Sequence, residues 1–150
     1  MQFFIIALVF NQKNQILGVK KEIPKSFLEL CGIDYDPGPI WFAPSGNQIK
    51  GETREESAER IVLQETGYKV KGRWEIPKTL VAHFSKAHGS FFKIVIVCEL
   101  LDNKIDPNFQ KPDYIEDIKW FNKEELLKNT LPEISSKWPE PLKKILGYGD

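Results

Sequence analysis

The stretch that decides the fold of this chain is residues 41–70, WFAPSGNQIKGETREESAERIVLQETGYKV. Thr53 and Glu56 have the spacing of a helix capping box, and Gly67 has the position of a helix C-cap. These signals together predict a helix from about Thr53 to Thr66. The loop before this helix contains three residues that favour tight backbone turns: Pro44, Gly46 and Gly51. The stretch is therefore predicted as loop, helix and loop, with backbone groups beside the helix N-terminus where an anion or a metal ion can bind.

Residues 46–68 carry seven residues at a defined spacing: Gly46, Glu52, Arg60, Val62, Glu65, Gly67 and Tyr68. With no gap, this spacing resembles the box of the Nudix pyrophosphohydrolases, G-x5-E-x7-R-E-U-x-E-E-x-G-U, in which U is a bulky apolar residue. Two box glutamates are replaced, by Ile61 and Gln64, and Ser45 stands where the family usually has glycine. The resemblance implies a Nudix-type α/β/α sandwich of the α/β class. In it, the box helix packs on one face of a mixed, curved β-sheet and a C-terminal helix packs on the other side.

The replaced glutamates bear directly on metal binding. Helix positions 61, 64 and 65 share one face, so three glutamates there would converge on a divalent cation. In the family, such ions neutralise a bound pyrophosphate and activate the attacking water. Isoleucine cannot bind a metal, and the neutral glutamine oxygen is a poorer ligand for Mg²⁺ than a carboxylate. The expected metal ligands are therefore Glu65 and a backbone carbonyl near Ser45 and Gly46, with Glu52 and a carboxylate from beyond residue 100 as further candidates. Mg²⁺ or Mn²⁺ is expected to bind weakly, even to be absent without a ligand.

The resemblance also implies candidate catalytic residues. Glu65 borders the apolar stripe of the helix, where a carboxylate needs a cation beside it, either a metal ion or Arg60 and its neighbours. Arg60 is expected to pair with Glu52 and so hold the loop. Glu116, in the acidic segment of the last predicted strand, is a candidate carboxylate recruited from outside the box. Two neighbours are further candidates for that role: Asp113 and Asp117.

Candidate ligand contacts are Lys20, Trp41 and Gly46. Lys20 and Lys21 end the second predicted strand, so they form either a solvated strand end or phosphate contacts facing the box. Residues 22–39 are rich in proline and glycine and are predicted as a long loop with one helical turn. This segment either covers the cleft and sets specificity or forms a packed surface insertion.

Apolar, β-branched and aromatic runs predict the remaining elements. The predicted strands are Phe3–Phe10, Ile16–Val19, a run from Trp74 to His83 interrupted by Pro77, Phe91–Leu100 and Ile115–Phe121. The predicted helices after the box are Lys123–Asn129, capped by Asn122 and Glu125, and a short helix at Leu142–Leu146.

Composition narrows the function classes. The 150 residues are 41% hydrophobic, which predicts one domain over residues 1–150. Because 21 basic residues balance 21 acidic ones, neither nucleic acid nor an anionic membrane is an expected partner. The apolar run Phe3–Phe10 is too short to span a bilayer. Cys31 and Cys98 are far apart and form no metal motif or disulfide framework, which favours a cytoplasmic location.

Two functions fit these observations. In the first, a Nudix-fold protein binds a nucleotide or another pyrophosphate-containing small molecule of the nucleoside-diphosphate type, with hydrolysis weakened or lost through Ile61 and Gln64. In the second, the chain is an active Mg²⁺- or Mn²⁺-dependent pyrophosphohydrolase that uses a carboxylate recruited from outside the box. The sequence leaves the oligomeric state open, and a homodimer is compatible with it.

Overall fold

The computed structural model describes residues 2–30, 32–76, 81–85 and 89–129. The elements in chain order are β1 (Gln2–Phe10), β2 (Gln15–Lys21), α1 (Lys25–Leu30), β3 (Ile40–Phe42), β4 (Ser45–Asn47), α2 (Arg54–Thr66), β5 (Val70–Glu75), β6 (Val81–Ser85), β7 (Gly89–Leu100), β8 (Ile115–Asn122) and α3 (Lys123–Asn129). The other strands and helices predicted within the described residues are therefore confirmed, with α1 as the helical turn of the long loop. The predicted run from Trp74 to His83 instead covers the end of β5 and the start of β6, and residues 77–80 between them lie outside the described residues. The helix predicted at Leu142–Leu146 lies outside the described residues.

The box helix α2 has both predicted caps. The Thr53 hydroxyl accepts a hydrogen bond from the Glu56 backbone N–H at 3.0 Å, and the Thr53 N–H donates to the Glu56 carboxylate at 2.9 Å. At the other end, Gly67 has φ 78° and its N–H donates to the Leu63 carbonyl at 3.0 Å. A Cβ on Gly67 would lie 2.5 Å from the side chains of Ile105 and Phe109, so this position needs glycine for space as well as for backbone conformation.

The segment before α2 differs from the predicted loop, because it contains the short strands β3 and β4. Trp41 of β3 pairs with Lys20 of β2, and Ser45 of β4 pairs with Ile6 of β1, both antiparallel. Each strand has three residues, and Pro44 lies between them. Three residues are too few to show the alternation of apolar and polar residues that identifies a strand, so no local sequence signal predicts β3 or β4.

One mixed sheet contains all the strands of the described residues. At its centre, β1 and β7 run parallel and pair from Gln2 with Phe91 to Phe10 with Glu99. The path of neighbouring strands is β3-β2-β1-β7-β5, and the other three strands pair off this path, β4 with β1, β6 with β7 and β8 with β2. All pairings other than β1 with β7 are antiparallel.

The two faces of the sheet bury two separate apolar clusters. The cluster beneath α2 includes Ile5, Ala7, Val9, Leu17, Ala58, Ile61, Val62 and Ile94. The cluster on the opposite face includes Ile6, Leu8 and Ile16 of the sheet together with Leu28 of α1 and Leu126 of α3. Alternate residues of β1 thus serve the two layers, as the period of a strand requires. The expected α/β/α sandwich is confirmed.

The longest described helix, α2, has 13 residues. None of the described helices is long and apolar enough to cross a membrane.

Candidate functional site

The carboxylate of Glu65, in the last turn of α2, lies at the centre of the site. It is 3% exposed. Each of its two oxygens accepts a hydrogen bond from the Lys21 ammonium at 3.0 Å, and one of them also accepts from the Ser45 backbone N–H at 3.2 Å. The structure therefore places Lys21 beside this buried carboxylate. Arg60, which the sequence analysis offered as an alternative to a metal ion, bonds to Glu52 and Asn47 instead.

Lys21 joins three elements of the fold at this point. Its ammonium, on a side chain that is 7% exposed, also donates to the Ser45 carbonyl at 3.1 Å and to the Ser45 hydroxyl at 3.0 Å. The three N–H groups thus face four acceptor oxygens, two from Ser45 and two from Glu65. Burial lowers the pKa of Lys21 from its ordinary value, while the charge and hydrogen bonds of Glu65 act to raise it. The contact ties β2 to β4 and α2.

The prediction of a solvated strand end is wrong for Lys21, which is buried. Leu17 and Lys21 lie four residues apart in β2, so they share the face that packs on α2. Lys20 lies directly opposite Trp41, and the Trp41 ring packs on the other cluster, so Lys20 belongs to the opposite face. Extending the alternation of the predicted strand Ile16–Val19 by two residues would have placed the two lysines on opposite faces, but no local pattern identifies Glu65 as the partner of Lys21.

Tyr114, which the sequence analysis did not single out, lies close enough to Glu65 to be affected by its charge. Partial burial first, and then the Glu65 carboxylate, raise the pKa of Tyr114 to about 12. Tyr114 precedes β8 in a loop without a motif, so no sequence signal marks it.

A cavity of about 1030 Å³ adjoins Tyr114. The rest of its lining comes from residues 22–38, that is, from the segment between β2 and α1, from helix α1 and from the loop that follows. Apolar and tyrosine side chains line it together with the charged residues Glu22, Lys25, Glu29, Asp34 and Asp36. The long loop whose role was left open therefore lines a cavity that extends to Tyr114, close to Glu65.

Arg60 holds the loop, as the sequence predicts. Its Nε donates to the Glu52 carboxylate at 2.8 Å and its Nη2 to the Asn47 carbonyl at 2.9 Å. The Ser57 hydroxyl donates to the other Glu52 oxygen at 2.7 Å, and the Ile49 N–H also donates to it at 3.2 Å. These bonds, with that from Arg60 first, lower the pKa of Glu52 to about 2, against an opposing effect of burial that is second in size. Glu52 and Arg60 are thus engaged with each other and with the loop.

Neither side chain at the two replaced box positions is placed to bind a metal ion. Ile61 is 3% exposed and belongs to the cluster beneath α2. A Cβ on Gly46 would lie 3.4 Å from the Ile61 side chain, so Ile61 packs directly under the backbone of β4. Gln64 is exposed and its side-chain oxygen accepts a hydrogen bond from Arg60 at 3.4 Å. Of the three positions on this helix face, 65 alone carries a carboxylate.

The residues present do not fit a divalent cation in this arrangement. The Glu65 carboxylate and the Ser45 carbonyl, both expected as metal ligands, surround the Lys21 ammonium at 3.0–3.1 Å. Mg²⁺ requires oxygen ligands at about 2.0–2.1 Å. Within the part of the chain that the structure describes, no three His, Cys, Asp or Glu side chains are grouped to hold a metal.

The remaining candidates, outside the box, lie together on β2, β3 and β8. Glu116 is the extra residue of a bulge in β8, between Ile115, which pairs with Lys21, and Asp117, which pairs with Lys20. Its carboxylate is 3.5 Å from the Lys20 ammonium, and both side chains are partly exposed. The structure therefore brings Lys20, Glu116 and, by register, Trp41 to one region, and it gives Glu65 other partners.

Comparison with known proteins places this geometry in a family. The family model described as NUDIX domain matches residues 4–140. No curated protein matches the chain. Among solved structures, a MutT protein from Methanosarcina mazei Go1 is similar, with a TM-score of 0.66 and 16% identity over 96% of this chain and 91% of that chain.

Two further structures show the same fold. An ADP-ribose pyrophosphatase from Streptococcus suis has a TM-score of 0.60 and 17% identity, over 97% of this chain and 90% of that chain. A UDP-X diphosphatase has a TM-score of 0.64 and 21% identity, over 97% of this chain and 63% of that chain. The match of the family model over most of the chain, with the box helix and the sandwich fold, shows that this chain belongs to the Nudix family.

Proposed function

We propose that this chain binds a pyrophosphate-containing ligand of the nucleoside-diphosphate type and hydrolyses it slowly or not at all. The observation that carries the proposal is the state of Glu65, the single carboxylate at positions 61, 64 and 65, which is held by Lys21 and Ser45. Loss of one acid–base group costs about 10²–10⁴-fold in rate. Because cooperating groups do not act additively, the loss of several leaves a slow residual rate.

Similar proteins support the ligand class. Two of the structures with this fold are named for diphosphatase and pyrophosphatase activities on UDP-X and ADP-ribose. Equal numbers of acidic and basic residues in the chain favour a small molecule over nucleic acid and fit a cytoplasmic protein.

The cavity beside Tyr114 is the proposed place for the part of the ligand that carries no phosphate. Four acidic side chains and one lysine line it, so a phosphate inside it would meet repulsion. Its tyrosine and apolar side chains suit a base or a sugar. Lys20, two residues before Glu22 of the cavity wall, is the proposed phosphate contact, with Trp41 beside it in the register. Backbone groups of Ser45 and Gly46, in β4, are further proposed contacts of the ligand.

Glu52 and Arg60 have structural roles in this proposal. They hold the loop that carries β4 and thereby fix Ser45 next to Glu65. A divalent cation binds weakly and only together with the ligand, because the pyrophosphate supplies some of the oxygen ligands that the protein lacks.

Binding and turnover measured side by side test the proposal. We expect ADP-ribose, UDP-sugars or a related dinucleotide to bind in calorimetric titrations, with product formation well below about 1 s⁻¹, an ordinary enzyme rate. Turnover at that rate or above, lost in Glu116→Gln, would favour the active enzyme with a recruited carboxylate. Failure of every nucleotide in the panel to bind would reject the ligand class.

A further inference from the structure

The atoms expected to hold a metal ion in this box hold an ammonium group of the chain itself. The Glu65 carboxylate and the Ser45 carbonyl were the expected ligands, and both bind the Nζ atom of Lys21. The Ser45 hydroxyl completes the shell at 3.0 Å, at the position where the family usually has glycine and so no side chain. The lysine and the serine therefore act together at this point.

We propose that Lys21 is the resident cation of this box and excludes divalent metals from it. Its single positive charge neutralises Glu65, which removes the electrostatic attraction that a dication would need. The proposal goes beyond ligand binding, since it concerns the free protein and holds whichever nucleotide, if any, the chain binds.

Three features of the contact support exclusion. The shell has the dimensions of an ammonium group, with oxygens at 3.0–3.1 Å. The ammonium has no N–H left over, because each of its three faces an oxygen of Ser45 or Glu65. Both side chains are buried, at 7% and 4% exposure for Lys21 and Glu65.

Displacement of the lysine by a metal is opposed by the same burial. A dication on Glu65 would take away the carboxylate that pairs with the Lys21 ammonium and leave that positive charge buried beside the metal. Like charges at such a distance repel strongly in a site that excludes water. Restoring the two box glutamates therefore does not by itself restore metal binding, because the position they would face is occupied.

The test compares Mn²⁺ binding, by electron paramagnetic resonance and calorimetry, in four proteins free of nucleotide. We expect no specific binding in the wild type or in Ile61→Glu/Gln64→Glu. Adding Lys21→Ala to that double variant should lower the Kd for Mn²⁺ at least about tenfold, equivalent to about 1.4 kcal/mol. Adding Lys71→Ala instead is the matched control, since Lys71 also pairs with a glutamate of α2, Glu59, but is 52% exposed.

Two outcomes would overturn the proposal without any Lys21 variant. One is stoichiometric Mn²⁺ binding by the wild type that is abolished in Glu65→Gln. The other is Mn²⁺ binding by Ile61→Glu/Gln64→Glu with Lys21 intact. If the triple variant does not fold in metal-free buffer, its folding on addition of Mn²⁺ reports the same gain in Mn²⁺ binding, because a ligand that binds the native state stabilises it. A triple variant that folds and binds no more Mn²⁺ than the control would also reject the proposal.

Discussion

Lys21 and Lys71 both pair with a glutamate of α2, but the two ion pairs differ in their exposure to solvent. Lys21 and Glu65 are in contact at 3.0 Å with side-chain exposures of 7% and 4%, whereas Lys71 and Glu59 are 3.5 Å apart with exposures of 52% and 25%. Water screens the second pair and keeps each of its charges hydrated. The first pair is buried and not hydrated, so each of its charges is stabilised chiefly by the other.

Removing each lysine should therefore have unequal effects on stability. We expect Lys21→Met, which keeps the chain length but not the charge, to lower the free energy of unfolding by about 3–5 kcal/mol. The same change at Lys71 should cost less than about 1 kcal/mol. Urea denaturation of both variants measures the difference. Glu65→Gln added to Lys21→Met should recover part of the loss, and equal effects of the two single changes would show that Lys21 is hydrated.

Among the elements, the loop before α2 is held to the helix mainly through the Glu52 carboxylate, beside the bond from Arg60 to the Asn47 carbonyl. Glu52 accepts hydrogen bonds from Arg60, from Ser57 and from the Ile49 N–H. All three donors favour the ionised form of Glu52. The attachment of the loop therefore depends mainly on the ionisation of one side chain.

The stability supplied by Glu52 should depend on pH in a defined window. Its pKa is about 2 in the folded protein, against an ordinary value of 4.5, so the folded state favours the ionised form. A lowered carboxyl pKa gives stability that is complete above the ordinary value and lost as pH falls toward the folded value. The difference in melting temperature between wild type and Glu52→Gln should thus shrink from pH 5 down to pH 2.5, measured by circular dichroism. A constant difference over that range would contradict the assignment.

Elements specified by near neighbours were predictable, and contacts between distant residues were not. Helix α2 was predicted because Thr53 and Gly67 act within one turn of its ends, and the pairing of Arg60 with Glu52 spans eight residues. Lys21 and Glu65 are 44 residues apart, and their contact depends on how β2 lies against α2. Short strands such as β4 depend in the same way on a distant partner, β1.

At the scale of the whole molecule, Tyr114 connects two parts of the structure. It lies close enough to Glu65 of α2 for that carboxylate to raise its pKa, and it lines the cavity whose other walls come from residues 22–38, including α1. Helix α1 packs through Leu28 on the face of the sheet opposite α2. Tyr114 therefore lies between a ligand in the cavity and the Glu65 carboxylate of the box.

Removal of the Tyr114 hydroxyl tests the connection. Tyr114→Phe should weaken nucleotide binding about threefold to tenfold, since one hydrogen bond contributes about 0.5–1.5 kcal/mol. Tyr68→Phe is the matched control, because its hydroxyl accepts a hydrogen bond from the Trp120 indole at 3.1 Å, apart from the cavity. Calorimetric titration of both variants with the best nucleotide measures the effect. Equal affinities in the two variants would place the ligand away from Tyr114.

The parallel pairing of β1 with β7 also determines when the protein can fold during its synthesis. The apolar strand β1, from Gln2 to Phe10, is made before the Nudix box, and its full-length partner, Gly89–Leu100, is made only after the whole box. Pairing strands so distant in the chain closes a long loop, which slows folding. Until then, the nascent chain carries an unpaired apolar edge of the kind that associates with other chains. The order of synthesis therefore makes β1 the segment most in need of a chaperone.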